Sequence, residues 1–324
     1  MKKCKTLLPL ITLVVMCLVL GGCKGKKEDD TVVRIGALSG PTAMGMVKLM
    51  QDSEDAKTKN NYQFAELSTD PANFVAPLAK GEIDIAAVPS NLAGVIYNNT
   101  EGGVQILAVN TLGVLHLLSR DAQVKTIEDL AGKQIYATGE GATPEYTLRH
   151  ILKQYGMDMD KDVTMKWCAD TTEALSYISK DEAAIAMLPQ PFATAAMGQV
   201  EGLKPVLDLN DAWDETGSII TGVVVARTQF VEEHPDVIET FLAEYEASIA
   251  FTNEQVEEAA QLVEHYGIVP KAQLAQAAIP KCHITFMKGA QMKEQVAAYL
   301  QILFDENPAS VGGALPEEDF YYGN

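Results

Sequence analysis

The sequence predicts an α/β protein of two lobes, each built on a mainly parallel sheet with helices on both faces. Three observations support this fold class. The chain has 324 residues, which is more than one hydrophobic core usually organises. Short apolar strands alternate with helical segments along most of it, the pattern of parallel sheets. Four of these strands end in similar turns that lead into helices.

The first strand and its turn set the pattern. An apolar, β-branched run from Val32 to Leu38 stops at Ser39-Gly40-Pro41-Thr42, and a helical apolar stripe follows. We expect Ser39 to cap this helix and Pro41 to occupy its first position, where a missing N–H is not needed. A helix start at the carboxyl end of a strand leaves backbone N–H groups free, so it can bind a small polar or anionic group.

The residues before the first strand predict export and a membrane tether. Three lysines precede an apolar run from Leu7 to Leu20, which is too short for a stop-transfer helix and typical of a secretory signal. The run ends in Leu20-Gly21-Gly22-Cys23, which resembles the bacterial lipobox and implies lipidation of Cys23. An uncleaved anchor is the alternative, and both would tether the protein to a membrane. We assign 1–22 to a lipoprotein signal peptide and 23–31 to a flexible stalk.

The composition excludes a nucleic-acid partner. Removing the three leader lysines from 25 basic residues leaves 22 against 44 acidic residues, a net charge of −22 with histidine neutral. Phosphate backbones demand the opposite sign. Besides Cys23, the mature chain would keep Cys168 and Cys282, and two isolated cysteines make no disulfide framework. We expect free, buried thiols; the alternative is an oxidised pair that staples the lobes together.

Two long strands divide the chain between the lobes. The run from Val104 to Ser119 is unusually long for one strand, so we interpret it as a strand that crosses from lobe one to lobe two. The run from Ile219 to Ala226 predicts a second crossing strand, which returns from lobe two to lobe one. Lobe one therefore takes 32–114 with 222–324, and lobe two takes 115–221.

Strands and helices alternate within both lobes. In lobe one we predict further strands at 62–67 and 83–88, and helices at 73–78, 92–97, from 230 onward, 253–266 and 287–304. In lobe two, strands at 134–137, 163–167, 183–188 and 205–209 alternate with helices at 144–155, 174–179 and 193–197. The helix from 230 buries Phe241, Tyr245 and Ile249, which lie four residues apart.

A family resemblance follows from motifs spread over most of the mature chain. The passage Asp129-Leu130-Ala131-Gly132-Lys133-Gln134-Ile135 resembles the second lobe of the periplasmic-type substrate-binding proteins of ABC importers, especially the nitrate, sulfonate and taurine group with its thiamine-precursor relatives. Further matches are Gly81 to Ala86, the glycine-rich turn at 139–143, and Phe230 to Pro235. The resemblance implies a type II periplasmic-binding-protein-like fold in which the two crossing strands act as a hinge.

The resemblance also implies a function and partners. The protein would be an extracytoplasmic substrate-binding lipoprotein, anchored to the cell membrane by its N-terminal lipid. It would capture a small-molecule solute between its lobes and deliver it to an ABC permease and ATPase. We expect a monomer.

The four turns are the predicted ligand site. They lie at Ser39 to Thr42, Val88 to Asn91, Thr138 to Pro144, and Leu188 to Pro191, two in each lobe, so we expect them to face one another across a cleft. One such turn alone is usually only a cap; the shared position favours a ligand site. The predicted contacts are Pro41, Thr42, Ser90, Asn91, Gly141, Ala142, Thr143 and Gln190, followed by Thr111 and Ser218 near the crossings.

The sequence lacks the patterns that covalent catalysis requires. The five histidines are scattered, HExxH and CxxC do not occur, and adjacent Cys282 and His283 point apart on any regular element. We therefore predict no enzyme, no catalytic residue, no metal and no cofactor. Two alternatives are left open: an enzyme on the same fold, such as a menaquinone-pathway lyase, and a lipoprotein that senses a ligand without transport.

The chemistry of the ligand is less defined by the sequence. The ligand contacts predicted in the turns include no arginine or lysine, which puts nitrate or a simple sulfonate in doubt and favours a small organic solute such as a heterocycle. Trp213 and Tyr146 are candidates to stack on a ring, and Glu140 and Glu145 to meet an amino group. Glu145 also suits a helix start without any ligand.

Overall fold

The computed structural model describes residues 31–65, 67–121, 123–213 and 217–323. The predicted signal peptide and Cys23 lie outside these residues, as does the predicted stalk except for Thr31. Among the helices of the described ranges, none combines the length and the apolar character needed to cross a membrane.

Strands and helices alternate through the described chain. The strands are β1 Val32–Ala37, β2 Asn61–Phe64, β3 Ile85–Pro89, β4 Val104–Thr111, β5 Leu115–Ser119, β6 Gln134–Ala137, β7 Thr164–Trp167, β8 Ile185–Pro189, β9 Lys204–Asp208, β10 Gly222–Arg227 and β11 Ile284–Met287. The helices are α1 Pro41–Met44, α2 Val47–Glu54, α3 Val75–Lys80, α4 Ser90–Asn99, α5 Thr143–Gln154, α6 Met159–Asp162, α7 Thr171–Ile178, α8 Phe192–Gln199, α9 Thr228–Glu233, α10 Pro235–Glu254, α11 Val256–His265, α12 Ala272–Ala278 and α13 Gly289–Glu306.

The strands form two sheets, as the predicted α/β fold requires. The six-stranded sheet has the order β11-β4-β10-β3-β1-β2, and the five-stranded sheet has the order β7-β6-β8-β5-β9. Both sheets are mixed rather than mainly parallel. β10 runs antiparallel to β3 and β4, and β5 runs antiparallel to β8 and β9. The reason is the crossing: a strand that enters a sheet from the other one starts at the edge where the parallel strands end.

The crossing segments are shorter as strands than predicted. The run from Val104 to Ser119 is interrupted at 112–114, between β4 and β5, and the returning strand begins at Gly222 rather than Ile219. The interruption is held by other partners: the N–H of Gly113 donates to Asn210 Oδ1 at 3.1 Å, and the carbonyl of Val114 accepts from the N–H of Gln190 at 2.9 Å. The lobe boundaries at 114 and 221 stay a prediction.

The two flanks of the molecule are packed differently. On one side, a single buried core runs through both sheets and includes Val109, Leu117, Trp213 and Tyr299. On the other side, the helices α1, α2 and α10–α12 cover the six-stranded sheet, while α7 and α8 cover the five-stranded sheet with a separate core. Helix α12 packs against α8 across the gap between these two cores. Cys168 and Cys282 are free and buried, as expected.

The Asp84 carboxylate, in the motif Gly81 to Ala86, is a buried anchor of the six-stranded sheet. Arg34 of β1 donates to both of its oxygens, at 2.8 and 2.7 Å, and Arg227 at the end of β10 donates at 2.9 Å. Burial alone would raise the pKa of Asp84, but the hydrogen bonds from the two arginines outweigh it and hold the pKa below its ordinary value. The ion pair therefore links β1, β3 and β10.

We expect Asp84→Asn to lower the free energy of unfolding by about 3 kcal/mol, because removing one partner leaves buried charge uncompensated. The depressed pKa means that the contribution is present at neutral pH and is lost as the pH falls through that lowered pKa. Urea unfolding over a pH series measures both effects.

The matched control is Asp55→Asn, since Asp55 pairs with Lys57 at the exposed surface. This variant should unfold like the parent protein. An equal loss of stability in both variants would contradict the anchoring role of Asp84.

Candidate functional site at the junction of the two sheets

The turn after β1 places Pro41 at the first position of α1, as predicted, but its cap differs. Gly40 is the N-cap, with φ of 115°, and no side chain caps the helix. The expected cap at Ser39 is wrong because Gly40, in a conformation that favours glycine, separates it from the helix. The buried Thr42 hydroxyl instead donates to the carbonyl of Leu38 at 3.1 Å.

Three segments meet around Gly222, at the start of β10. A Cβ atom on this glycine would lie 2.3 Å from Thr42 Cγ2, 2.5 Å from Asn110 Oδ1 and 3.2 Å from Thr111 Cβ. Asn110 also donates to the carbonyl of Thr42 and to the hydroxyl of Tyr245, both at 3.0 Å. Only glycine fits here, so the turn after β1 packs directly against the two crossing strands.

The turn after β3 is tied to the rest of the protein by both of its polar side chains. The Ser90 hydroxyl donates to the carbonyl of Ile220 at 2.5 Å, and the backbone N–H of Ser90 donates to the carbonyl of Thr221 at 3.1 Å. Asn91 Nδ2 donates to the carbonyl of Ser310 at 3.3 Å. Ser90 therefore fixes the segment that enters β10, and Asn91 fixes the C-terminal part of the chain.

The two turns of the five-stranded sheet are organised differently. Gly141, with φ of 68°, donates its N–H to Glu145 Oε2 at 2.7 Å and accepts from the Tyr146 hydroxyl at 2.7 Å. Ala142 is the N-cap of α5, and Thr143 is its first residue. In the turn after β8, Gln190 Oε1 accepts from the hydroxyl of Thr194 at 2.8 Å. Glu145 thus supports its own helix start, the structural alternative weighed for it.

The contacts gather the predicted site residues in two groups. Thr42, Ser90 and Thr111 surround residues 220–222, and Gln190 joins them through the crossing residue Val114. The second group, on the flank of α5 and α13, is linked by the hydrogen bonds of Asn307 and Ser310 and comprises Gly141, Ala142, Thr143 and Asn91. Ser218 is half-buried four residues before β10.

The aromatic candidates hold the two sheets together on that flank. The Tyr146 hydroxyl accepts from Asn307 Nδ2 at 2.9 Å while donating to Gly141. Trp213 is 8% exposed and packs between His150 and Tyr299, with ring centroids 4.6 and 5.7 Å away. Burial raises the pKa of Tyr299 to about 12, so its hydroxyl stays neutral beside Thr147. These rings belong to the junction's core.

A cavity of about 360 Å³ opens on the opposite flank. One wall comes from helices that cover the five-stranded sheet and includes Thr171 and Thr172 at the start of α7 and Phe192 on α8. The other wall comes from the segment around α12, beside the six-stranded sheet, and includes Ile268 and Leu274. None of the thirteen described residues that line it carries a charge. Since Leu188 and Pro191 also line it, the cavity adjoins the turn of Gln190.

Sequence reasoning did not find several of these residues. Asn110, Gly222 and Asn307 all join separate parts of the junction, and residues 268–274 supply one wall of the cavity. Asn110 offered a signal, because a polar side chain in an apolar crossing strand needs a buried partner. The cavity wall offered none, since it depends on how α12 lies against α8.

Comparison with known families identifies the central part of the chain. Residues 104–259, just under half of the sequence, match the family model described as NMT1/THI5 like. This segment is similar to the NMT1/THI5-like family. This NMT1/THI5-like segment contains both crossings, the whole five-stranded sheet and Gln190. The resemblance predicted from the sequence is confirmed.

Relatives of known structure share the fold over nearly the whole chain. An ABC transporter structure from Parabacteroides distasonis is 23% identical, with a TM-score of 0.74, over 90% of this chain and 99% of the other. The periplasmic aliphatic sulphonate binding protein SsuA from Escherichia coli is 19% identical, with a TM-score of 0.68, over 88% of this chain and 92% of the other. These likenesses establish the two-lobe periplasmic-binding-protein fold.

A curated protein extends the comparison. A putative binding protein of Brucella abortus is 22% identical over 200 residues, which is 62% of this chain. The match spans 60% of the length of that relative.

We expect Gly222→Ala to destabilise the protein by about 1–3 kcal/mol and to displace α1, because the added methyl group overlaps Thr42 and Asn110. Thermal unfolding and a crystal structure of the variant would measure the two effects.

Gly198→Ala is the matched control, since Gly198 is exposed on α8 and its Cβ would contact nothing within 4 Å. This change should be neutral or stabilising by up to about 1 kcal/mol. If the Gly222→Ala protein is as stable as the control, the space between Thr42 and Asn110 can accommodate a methyl group, contrary to this prediction.

Proposed function

We propose that the protein is an extracytoplasmic solute-binding lipoprotein, lipidated at Cys23, which delivers a small organic solute to an ABC permease and its ATPase. It would act as a monomer and by binding alone, without covalent chemistry. The observation that carries this proposal is the cavity on the flank of α8 and α12, because its walls come from α7 and α8 on one side and from residues 268–274 on the other. The fold of ABC transporter and sulphonate-binding structures supports it.

The lining of the cavity favours a neutral, partly apolar ligand. Phe192, Leu175 and Ile268 offer apolar surface, while Thr171 and Thr172 offer hydroxyls. An anion would meet no lysine or arginine among the lining residues, and it would lie near the Asp170 carboxylate that caps α7. The strongly acidic chain adds to this preference. We therefore do not propose a sulphonate, the ligand class in the name of SsuA, as the ligand of this protein.

Of the ten contacts predicted from the sequence, four keep a side-chain polar group without a hydrogen-bond partner among the described residues. These groups are Gln190 Nε2, Asn91 Oδ1 and the hydroxyls of Thr143 and Ser218. We propose that Gln190, which adjoins the cavity, orients the ligand. Pro41, Thr42, Ser90, Asn91, Thr111, Gly141 and Ala142 would act mainly by shaping the junction.

Ligand binding is proposed to close the lobes about the two crossings. The contacts of α5 with α13 and of α8 with α12 join the helices of the two sheets on both flanks, and we interpret this arrangement as the closed form. A ligand that touches both walls of the cavity binds this form more tightly than an open one. Closure is then a shift in population set by that difference in affinity.

The proposal is tested by identifying the ligand. Mass spectrometry of small molecules extracted from the purified protein, and a thermal-shift screen of pyrimidines, vitamins, amines and sulfonates, would name candidates for calorimetry. A cognate solute at a hundred times its dissociation constant should stabilise the protein by about 2.7 kcal/mol. Uptake of that solute should fail in cells lacking the gene. Uptake that continues unchanged would favour the ligand-sensing alternative.

We expect Ala195→Phe to weaken binding of the identified solute by at least about tenfold, since the larger side chain would occupy the cavity from α8. Calorimetry measures the affinity. Ala298→Phe, at an exposed position of α13, is the matched control and should bind normally. Equal affinities for the two variants would place the ligand elsewhere.

We expect Tyr146→Phe to weaken binding about fivefold, because the lost hydroxyl joins α5 to Asn307 and a hydrogen bond contributes about 1 kcal/mol to the closed form. Calorimetry and small-angle scattering would report the affinity and the fraction of open protein. Tyr155→Phe, whose hydroxyl has no partner among the described residues, should change neither quantity. If closure does not depend on this hydrogen bond, the parent, Tyr146→Phe and Tyr155→Phe proteins will have the same affinity and the same fraction of open protein.

A further inference from the structure

Side chains that are far apart in the sequence form a compact cluster where the two sheets join. His116 lies in β5, Asp208 ends β9, Asp211 follows it, and His283 precedes β11. Asp208 Oδ2 lies 3.5 Å from His283 Nε2 and 3.5 Å from His116 Nδ1. One ligand atom each from Asp208, Asp211 and His283 lie within 4.8 Å of one another. The cluster is separate from the cavity proposed for the solute.

Contacts with backbone carbonyl oxygens indicate which nitrogen of the His116 and His283 rings carries the proton, and so which nitrogen faces Asp208 as an acceptor. His283 Nδ1 lies 2.5 Å from the carbonyl oxygen of Gly113, and His116 Nε2 lies 3.2 Å from that of Lys281. A carbonyl oxygen only accepts, so these nitrogens carry the protons. In the neutral rings, His283 Nε2 and His116 Nδ1 therefore point lone pairs at Asp208. Three acceptors then face one another, and a cation between them relieves their repulsion, either a second proton on one ring or a metal ion.

The distances fit a metal ion better than a direct ion pair. A charge-assisted N–H···O bond is about 2.7–2.9 Å long, which is shorter than the contacts to Asp208. In a tetrahedral zinc site, bonds of about 2.1 Å separate neighbouring ligand atoms by about 3.4 Å. The contact of 3.5 Å between His283 Nε2 and Asp208 Oδ2 has this length. Ligating histidines also commonly donate their other N–H to a backbone carbonyl.

No competing cation occupies the cluster within the described part of the chain. The ion pairs there join Asp208 to the two histidines only, and Asp208 Oδ1 accepts from the N–H of Asn210 at 2.9 Å. Lys281 directs its ammonium to the carbonyl of Ala277 at 3.0 Å. Asp211 is exposed and has no partner among the described residues, so it is available as a ligand that solvent can reach.

We propose that His283 Nε2, Asp208 and Asp211 bind a divalent transition-metal ion such as zinc, with His116 packed beside Asp208 on the buried side. One imidazole and two carboxylates suit zinc better than calcium, which prefers oxygen ligands alone. Three protein ligands leave a position open for water. Because His283 leads into the six-stranded sheet and Asp208 ends a strand of the five-stranded sheet, the ion would join the two sheets beside the crossing at 112–114.

The test uses the full chain, freed of metal by chelation, in the absence of any organic solute. Calorimetry with zinc should give one site per chain, and cobalt should give the visible absorption of a tetrahedral complex. His283→Gln and Asp211→Asn should each abolish this site. His116→Gln should weaken it less than the two ligand variants do, because His116 packs beside Asp208 without ligating the ion. The control His265→Gln, at an exposed position on α11, should bind zinc as the parent does.

Three outcomes would overturn the inference: the parent takes up no zinc or cobalt, calcium competes as well as zinc, or Asp211→Asn binds zinc unchanged. Asp211 is exposed, so its variant reports on the ion even if His283→Gln fails to fold. Since solute is absent from every arm, failure here leaves the proposed transport function untouched.

Discussion

The return of the chain into the middle of the six-stranded sheet is the constraint on which the rest of the structure depends. Strand β10 lies between β3 and β4 and pairs with both. At its start, Gly222 leaves no space between Thr42 and Asn110; at its end, Arg227 reaches the buried Asp84. Close packing thus fixes the start of β10, and a buried ion pair fixes its end. The carboxyl ends of β1, β3 and β4 are held against the junction as a result.

The junction built on this strand is asymmetric. On the flank of α5 and α13, one apolar core continues from sheet to sheet and hydrogen bonds such as Tyr146 to Asn307 cross it. On the flank of α8 and α12, separate cores leave an uncharged cavity between them. Close-packed interfaces shift between discrete arrangements rather than deform smoothly. On our proposal, the cavity flank, with fewer shared core contacts, is where a solute would have most influence on closure.

The same fold serves different ligands because the site is separable from the scaffold. The buried Asp84 and the glycine at 222 maintain the sheets, whereas side chains such as Phe192 and Thr172 only line the cavity. At 23% identity to the Parabacteroides structure, the chain shares the scaffold. Ligand chemistry is then decided by lining residues, which is why the absence of a charged residue among those described weighs more than the name of any relative.

The sequence by itself determined the order of elements and the α/β class, because apolar periodicity, glycine and proline act over a few residues. It also located Pro41 at a helix start and the motif around Asp84. Only the tertiary structure decided that both sheets are mixed, that Trp213 and Tyr146 are buried in the junction, and that His116, Asp208 and His283 meet. These features depend on contacts between residues up to 178 positions apart along the chain, as Val109 and Met287 are. Local patterns carry no information about which distant surfaces will pack together, so the cavity and the cluster had to be seen in the folded chain.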